Sequence, residues 1–234
     1  MAEGLTLITG VGRAGQVGEV VARTFAGRGH HVLLVSRDAG EVAARADAIR
    51  ADGLAASPYA CDLADGAQVA ALAARVEAEH GPRLDALVNL AGGFETSGPV
   101  ADSAAESWDR LSRINLLTAY ATTRAFLPLL RHGHGSVVFF ASEAALPGAS
   151  VSGNWAYAAA KTAVVTLMRA VAREEQAAGV RANAVAPTAI RTASNLASMG
   201  DAAHYVEREA VADAVWYLCS DAARAVTGQV IRLA

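Results

Sequence analysis

Short apolar runs alternate with alanine-rich helical stretches along all 234 residues, and this alternation constrains the fold more than any other feature. The runs that we predict to be strands lie near residues 5–9, 31–36, 55–59, 86–89, 136–141, 181–185 and 229–233. The stretches with helical periodicity lie near residues 18–26, 39–51, 66–79, 104–131, 153–178 and 205–220. Repeated β-α alternation requires crossover connections, so we expect the strands to be parallel.

The strands also read as covered on both faces, because runs such as Val32-Leu33-Leu34-Val35 are continuously apolar. We therefore predict an α/β fold with three layers, a doubly wound sheet of seven parallel strands between two layers of helices. No proline- or serine-rich linker divides the sequence, so we expect residues 1–234 to form one domain. A TIM barrel would also alternate strands and helices, but a glycine-rich turn after the first strand favours the open sheet.

Charge and hydropathy argue against several classes of partner. The net charge is −3 with both signs interspersed, and no apolar run approaches the roughly 18 residues that a membrane span needs. We therefore expect a cytoplasmic protein without a nucleic-acid or membrane partner. Cys61 and Cys219 are far apart in sequence, and His132 and His134 have no partner at metal-ligand spacing, so we predict no metal site.

The turn after the first predicted strand runs from Gly10 to Gly18 and precedes a predicted helix. Its glycines fit two registers: residues 10, 12 and 15 read G-x-G-x-x-G, and residues 12, 15 and 18 read G-x-x-G-x-x-G. Glycine lets backbone N–H groups approach a pyrophosphate at the start of a helix. We predict that a dinucleotide binds at Gly10, Gly12, Gly15, Val17 and Gly18; a glycine-rich turn without a ligand is the alternative.

The end of the second predicted strand indicates which nucleotide would bind. An acid at this place usually holds the ribose 2′-hydroxyl of NAD, whereas an arginine suits the 2′-phosphate of NADP. The strand ends in Arg37 followed by Asp38, and Arg13 in the glycine turn can reach the same phosphate. The sequence therefore favours NADP(H), with NAD(H) as the alternative if Asp38 rotates into the site.

Lys161 is the only lysine among 20 basic residues, and Tyr157 precedes it by four positions. Residues four apart on a helix share one face. A neighbouring ammonium lowers the pKa of a phenol, and Lys161 could also donate to ribose hydroxyls. The alternative is a core tyrosine and a surface lysine.

Together with the glycine turn, strand order and length, this pair resembles the single-domain short-chain dehydrogenases/reductases of the Y-x-x-x-K type over essentially the whole chain. Matching segments occur in order: Cys61-Asp62-Leu63, Asn89-Leu90-Ala91-Gly92, Ile114-Asn115-Leu116, Phe140-Ala141-Ser142 and Ala186-Pro187-Thr188-Ala189-Ile190-Arg191-Thr192. The resemblance implies that these segments line a Rossmann-type cofactor site. Besides the glycine turn, the cofactor-binding residues it implies are Arg13, Arg37, Asp62, Leu63, Asn89, Ala91, Gly92, Tyr157, Lys161, Pro187, Ile190 and Thr192.

The same resemblance implies hydride transfer between nicotinamide and the carbonyl or alcohol of a small molecule. Ser142 and Tyr157 would hold the substrate oxygen, Tyr157 would transfer its proton, and Lys161, Asn115 and a water would relay it. We therefore expect a ketoreductase-like enzyme. Two alternatives remain: a reductase of C=C or C=N bonds of the enoyl or pteridine type, and a non-catalytic NADP(H)-binding regulator.

Three departures from the family pattern affect these expectations. The glycine turn is two residues longer, Thr188 replaces a glycine, and the stretch from Thr192 to Tyr205 is short for a substrate lid. The short lid predicts an open pocket. Phe94, Leu146 and Met199 suggest an apolar acceptor, with a role in packing as the alternative for each. The long helical stretches 104–131 and 153–178 carry surplus apolar surface, so we predict a homodimer or homotetramer through them.

Overall fold

The computed structural model describes residues 4–201 and 204–234. The strands in chain order are β1 Gly4–Thr9, β2 His30–Ser36, β3 Ala56–Ala60, β4 Ala86–Asn89, β5 Ser136–Phe140, β6 Arg181–Pro187 and β7 Val230–Leu233. The helices are α1 Val17–Gly27, α2 Ala39–Ala51, α3 Gly66–His80, α4 Ala105–Ser112, α5 Thr118–Gly133, α6 Trp155–Glu174, α7 Ala193–Met199 and α8 Arg208–Cys219.

All these strands join one parallel sheet in the order β3-β2-β1-β4-β5-β6-β7. Strand order reverses direction at β1, where Ile8 pairs with Leu34 on one side and with Val88 on the other. Such a switch point leaves a crevice at the carboxyl ends of the strands. The predicted doubly wound α/β fold is confirmed.

Alternate side chains of the central strands pack into two separate hydrophobic cores, which explains the continuous apolar runs. Leu7 and Leu33 pack with residues of α3, α5 and α6 on one face of the sheet. Ile8 and Leu34 pack with residues of α1, α2 and α8 on the other face. Because successive side chains of a strand point to opposite faces, both positions of each pair must be apolar.

The helical stretch predicted over 104–131 is interrupted in the structure. Residues Arg113–Leu117 form a π-helical turn between α4 and α5. This turn buries Asn115, and π turns occur often at functional sites. The expectation of one regular helix over this stretch is therefore wrong. The extra residue of a π turn leaves no periodic pattern in the sequence from which it could be predicted.

Two further differences concern the segment that follows β6. The helix predicted to start at Tyr205 starts at Arg208, and α7 was not predicted. Helix α7 has seven residues, none of them buried, so it has no apolar period that would reveal it. Its start is marked only by Thr192, whose side-chain oxygen accepts the N–H of Asn195 as a helix cap.

Within the described ranges, no helix is both long and apolar enough to cross a membrane.

Candidate functional site

A cavity of about 1180 Å³ opens at the carboxyl ends of the central strands, at the switch point of the sheet. Its wall combines the glycine turn, the ends of β2 to β6 and the first turns of α6. The predicted site residues that line it are Gly10, Gly12, Arg13, Val17, Arg37, Asp62, Leu63, Ala91, Gly92, Ser142, Tyr157, Lys161, Pro187, Ile190 and Thr192. Most of the residues selected from sequence therefore meet in one space.

Four predicted site residues do not line this cavity. Asn89 is buried and donates to the hydroxyl of Thr123, 2.8 Å away. Gly18 packs so closely on the turn that an added Cβ would lie 2.9 Å from the carbonyl oxygen of Gly10. Gly15 faces α7, where an added Cβ would lie 3.2 Å from the Cβ of Ala193. In the structure these three residues lie behind the ones that line the cavity, and their contact with a cofactor stays a prediction.

Asn115, the fourth, uses its side chain to hold the cavity wall. The amide oxygen of Asn115 accepts the N–H of Gly93 at 3.1 Å, and its amide nitrogen donates to the carbonyl oxygens of Gly93 and Leu111. Both N–H donors of the side chain and one of the two acceptor sites of its oxygen are thereby used by backbone groups. If Asn115 holds a water of the proton relay, as the resemblance implies, it would have to do so mainly through atoms outside its side-chain amide.

Some backbone N–H groups of the glycine turn already donate hydrogen bonds within the protein. Gly10 and Val11 donate to the carbonyl oxygen of Val35, and Gly15 donates to the Glu19 carboxylate at 3.0 Å. The N–H groups between residues 12 and 14 and in the first turn of α1 are the ones placed to meet a phosphate. Gly15 is therefore a poor candidate for a direct phosphate contact.

The extra length of the turn is used to contact the segment after β6. The carbonyl oxygen of Gly15 accepts the N–H of Ala193 at 3.2 Å and Nη1 of Arg208 at 3.1 Å. Gln16 donates to the hydroxyl of Ser194 at 3.0 Å. The longer turn and the short α7 therefore fit each other, which the sequence could not show because α7 itself has no pattern.

Thr9, the last residue of β1, fixes the loop after β4. Its side-chain oxygen accepts the N–H groups of Leu90 and Ala91, both at 3.0 Å, and donates to the carbonyl oxygen of Val88. The residue is buried, and its neighbour Gly10 lies so close to Ala91 that an added Cβ would be 2.9 Å from the Cα of that residue. Thr9 was missed from sequence, although its position directly before the glycine turn was a usable signal.

Charged side chains surround the cavity beyond the end of β2. Arg13 and Arg37 are exposed and make no hydrogen bond or ion pair with any described residue. Asp38 instead caps α2, because its carboxylate accepts the N–H of Glu41 at 2.9 Å. The alternative in which Asp38 turns toward a ribose would therefore cost this cap. Ser36 and Glu41 also line the cavity and were missed from sequence.

Lys161 and Tyr157 lie one turn apart on α6, as their spacing predicts. Lys161 is only 5% exposed, and its ammonium donates to the carbonyl oxygen of Phe140 at 2.7 Å. Burial lowers the pKa of Lys161 to about 8, so the group is still mostly charged at neutral pH. Gly92 makes room for it, since an added Cβ there would lie 3.3 Å from the lysine nitrogen.

The expectation that Lys161 lowers the pKa of Tyr157 is not met in this structure. Burial raises the pKa of Tyr157, and a hydrogen bond with Ser142 opposes that rise. The lysine nitrogen lies 5.8 Å from the centre of the tyrosine ring, and its hydrogen bond goes to Phe140 instead. Tyr157 is therefore a protonated phenol at neutral pH, poised as a donor.

The substrate side of the cavity is formed by Phe94 and Ser142. The ring of Phe94 meets that of Tyr157 edge to face, with centroids 5.1 Å apart, yet Phe94 is 62% exposed. Ser142 follows β5 by two residues, and its side-chain oxygen accepts the N–H of Ala144 at 3.3 Å. The tyrosine hydroxyl thus lies under an exposed aromatic ring and beside a second hydroxyl, a place for a small polar group on an apolar molecule.

Comparisons with known proteins agree with this geometry. A family model described as enoyl-(acyl carrier protein) reductase matches residues 10–233. A D-threitol dehydrogenase of Mycolicibacterium smegmatis is 32% identical over 236 residues, covering 96% of this chain and 88% of that protein. The structure of a short-chain type dehydrogenase/reductase from Mycobacterium ulcerans is 31% identical with a TM-score of 0.90, covering 100% of this chain and 89% of the other.

A gluconate 5-dehydrogenase from Burkholderia cenocepacia, in complex with NADP and tartrate, is 28% identical with a TM-score of 0.91. The similarity covers 100% of this chain and 94% of that one.

Replacing Thr9 by valine should destabilise the protein by about 1 kcal/mol, because the half-buried N–H of Ala91 loses its partner. Thermal or denaturant unfolding measures this. Thr166→Val is the matched control, since Thr166 is exposed and bonds only within α6, and it should change stability by less than about 0.5 kcal/mol. Equal effects of the two variants would contradict the assigned role of Thr9.

Replacing Lys161 by methionine should raise the free energy of unfolding at pH 7 by up to about 3 kcal/mol, because a buried charge is removed. The loss of the hydrogen bond to the Phe140 carbonyl reduces this gain. The charged lysine is penalised by burial in the folded state only, so the penalty is complete below pH 8. It fades between about 8, the pKa of the folded state, and 10.5, the ordinary value. Unfolding of both proteins across this range should show the difference shrinking with rising pH; a constant difference would contradict the burial of a charge.

Proposed function

Because the chain belongs to the short-chain dehydrogenase/reductase family, we propose that it transfers a hydride between NADP(H) and the carbonyl or alcohol group of a small molecule. The family establishes that it is an oxidoreductase acting with a nicotinamide cofactor. The observation that carries the finer proposal is that Ser142, Tyr157 and Lys161 line one cavity. All three keep the chemistry that a carbonyl reduction needs.

The residues present fit a nicotinamide dinucleotide. The cavity is large enough for a cofactor together with a substrate, and it begins at a glycine turn that leads into α1. Arg13 in the glycine turn and Arg37 after β2 line the cavity, and their guanidinium groups pair with no residue that the structure describes. Since guanidinium groups bind phosphate well, this pair favours NADP(H) over NAD(H).

Each side chain of the set has a distinct task. The bound cofactor supplies or accepts the hydride. Ser142 and Tyr157 hold the substrate oxygen by hydrogen bonds, and the protonated phenol of Tyr157 donates its proton to the alkoxide during reduction. In the structure the Lys161 ammonium points to the carbonyl of Phe140, so we infer that it turns toward the phenolate that remains and stabilises it, because opposite charges nearby favour the ionised form.

Carbonyl reduction is favoured over two other functions. The matching family model is described as an enoyl reductase, whose acceptor is a C=C bond, but Ser142 and Tyr157 line the same cavity and their hydroxyls suit a carbonyl oxygen. A regulator that binds NADP(H) without turnover does not need a buried lysine, whose charged form is disfavoured by burial.

The direct test is to follow NADPH absorbance with a panel of ketones and a panel of enoyl thioesters. We expect ketones to be reduced and enoyl thioesters to be poor acceptors. Turnover of enoyl substrates alone would favour the enoyl reductase, and NADPH binding without any turnover would favour the regulator.

Tyr157→Phe removes the proton donor but keeps the ring that packs on Phe94. We expect the turnover rate to fall at least about 10³-fold, with the dissociation constant of NADPH changed less than about twofold. Tyr217→Phe is the control, because Tyr217 lies on the surface of α8 outside the cavity lining. Retention of more than a tenth of the turnover in Tyr157→Phe would contradict the proton-donor role.

Lys161→Arg keeps a positive charge but replaces the compact ammonium by a wider planar group. The space beside Gly92 and the Phe140 carbonyl fits an ammonium closely. We expect steady-state turnover to fall about 100-fold or more, because the guanidinium cannot occupy this place without displacing the loop after β4. Near-normal turnover would mean that charge alone, and not the geometry of the lysine, is required.

We also propose that the chain forms a homodimer or homotetramer through the long helices. A groove of about 580 Å³ lies on the outer side of α4, α5 and α6, and its lining includes Leu116, Leu117, Leu167 and Tyr120, the last 46% exposed. Apolar grooves of this kind on a helix face are typical of subunit contacts. Light scattering should give at least twice the 24.0 kDa mass of the chain, and a monomeric mass would contradict the proposal.

A further inference from the structure

An acidic side chain reaches into the cofactor end of the cavity beside the two arginines. Glu41 lies in the first turn of α2, and its carboxylate extends over the glycine turn. A Cβ added to Gly12 would lie 2.8 Å from Oε2 of Glu41 and 2.8 Å from the hydroxyl oxygen of Ser36. The absence of a side chain at Gly12 therefore accommodates these two oxygens.

The carboxylate of Glu41 differs from those of Glu19 and Asp38, two other acids near the glycine turn. Glu19 accepts the N–H of Gly15 and pairs with Arg45 at 3.2 Å, and Asp38 caps α2. For Glu41, by contrast, the described part of the chain offers its carboxylate no hydrogen bond and no ion pair. It is half-buried and lines the cavity, so its acceptor capacity faces the space that a ligand would fill.

The chemistry of a nicotinamide dinucleotide gives this carboxylate a clear counterpart. A carboxylate near the end of the second strand accepts hydrogen bonds from the hydroxyls of the adenosine ribose. A 2′-phosphate in the same place carries negative charge and would be repelled by Glu41 while Arg13 and Arg37 attract it. Glu41 and the two arginines thus act in opposite directions on the same atom of the cofactor.

We propose that Glu41 is a residue that determines cofactor specificity, and that it opposes Arg13 and Arg37 so that the site accepts both NAD(H) and NADP(H). With NAD(H), the Glu41 carboxylate accepts the ribose 2′-hydroxyl; with NADP(H), the arginines bind the 2′-phosphate against the repulsion of Glu41. The inference rests on the proposed function only in requiring that a nicotinamide dinucleotide binds in this cavity.

Fluorescence titration of the whole protein with NADPH and with NADH measures the two dissociation constants without any substrate. For the unaltered protein we expect them to lie within about tenfold of each other. Glu41→Gln should tighten NADPH about three- to tenfold and weaken NADH by a similar factor, because repulsion is removed and a charged acceptor is lost. Glu41→Asp keeps the charge but withdraws it by one methylene, and its ratio of constants should fall between those two.

Glu77→Gln is the matched control. It removes the same charge from an exposed position on α3 outside the cavity lining, and it should move both constants by less than about twofold in the same direction. Thermal unfolding of each variant shows whether it is folded, and AMP and adenosine 2′,5′-bisphosphate repeat the comparison with the adenosine end alone.

An unchanged NADPH-to-NADH ratio in Glu41→Gln would overturn the inference, as would discrimination beyond about 1000-fold in the unaltered protein. Normal binding with an unchanged ratio would leave the proposed function intact. Failure of the unaltered protein to bind either dinucleotide would overturn both.

Discussion

A buried ammonium is the constraint around which the site is arranged. Lys161 donates to the carbonyl of Phe140 at the end of β5, and burial lowers its pKa to about 8. A buried charge is unfavourable unless polar groups surround it. The backbone must therefore come close enough to the ammonium to accept its hydrogen bond. Gly92 provides the space, and Asn115 holds the loop that carries Gly92 by bonding both backbone groups of Gly93.

The same close approach links the glycine turn to the catalytic residues. Thr9 ties the loop after β4 to the end of β1, and Gly10 packs on Ala91 in that loop. The glycine turn, the loop after β4 and the neighbourhood of Lys161 therefore pack against one another. The turn also bonds to α7 through Gly15, so the cofactor end and the substrate end of the cavity share one framework.

The sequence was informative where a physical rule acts on neighbouring residues. Parallel strands covered on both faces must be apolar throughout, which is why the fold and most strand bounds could be predicted. The four-residue spacing of Tyr157 and Lys161 likewise requires nothing beyond the helix that carries them. These features depend on local patterns, and the structure confirms that the pair lines one cavity.

The remaining features depend on contacts between distant segments. The bond from Gln16 to Ser194 spans 178 positions, and the reach of Glu41 over Gly12 follows from the packing of α2 against the turn. The pKa of Tyr157 could not be predicted, because the direction in which the Lys161 ammonium points is set by Phe140. The π turn that buries Asn115 similarly has no signature in the sequence.

The most direct test of this account is the pKa of Tyr157 itself, measured by NMR of tyrosine labelled at the ring carbon that bears the hydroxyl. The account predicts that Tyr157 does not titrate below pH 10 in the protein alone, because burial holds its pKa above the ordinary value. It predicts that the Tyr157 pKa falls once oxidised cofactor is bound, and that it does not fall in Lys161→Met. A Tyr157 pKa that is unaffected by cofactor, or that falls equally without Lys161, would contradict the central role of the buried ammonium.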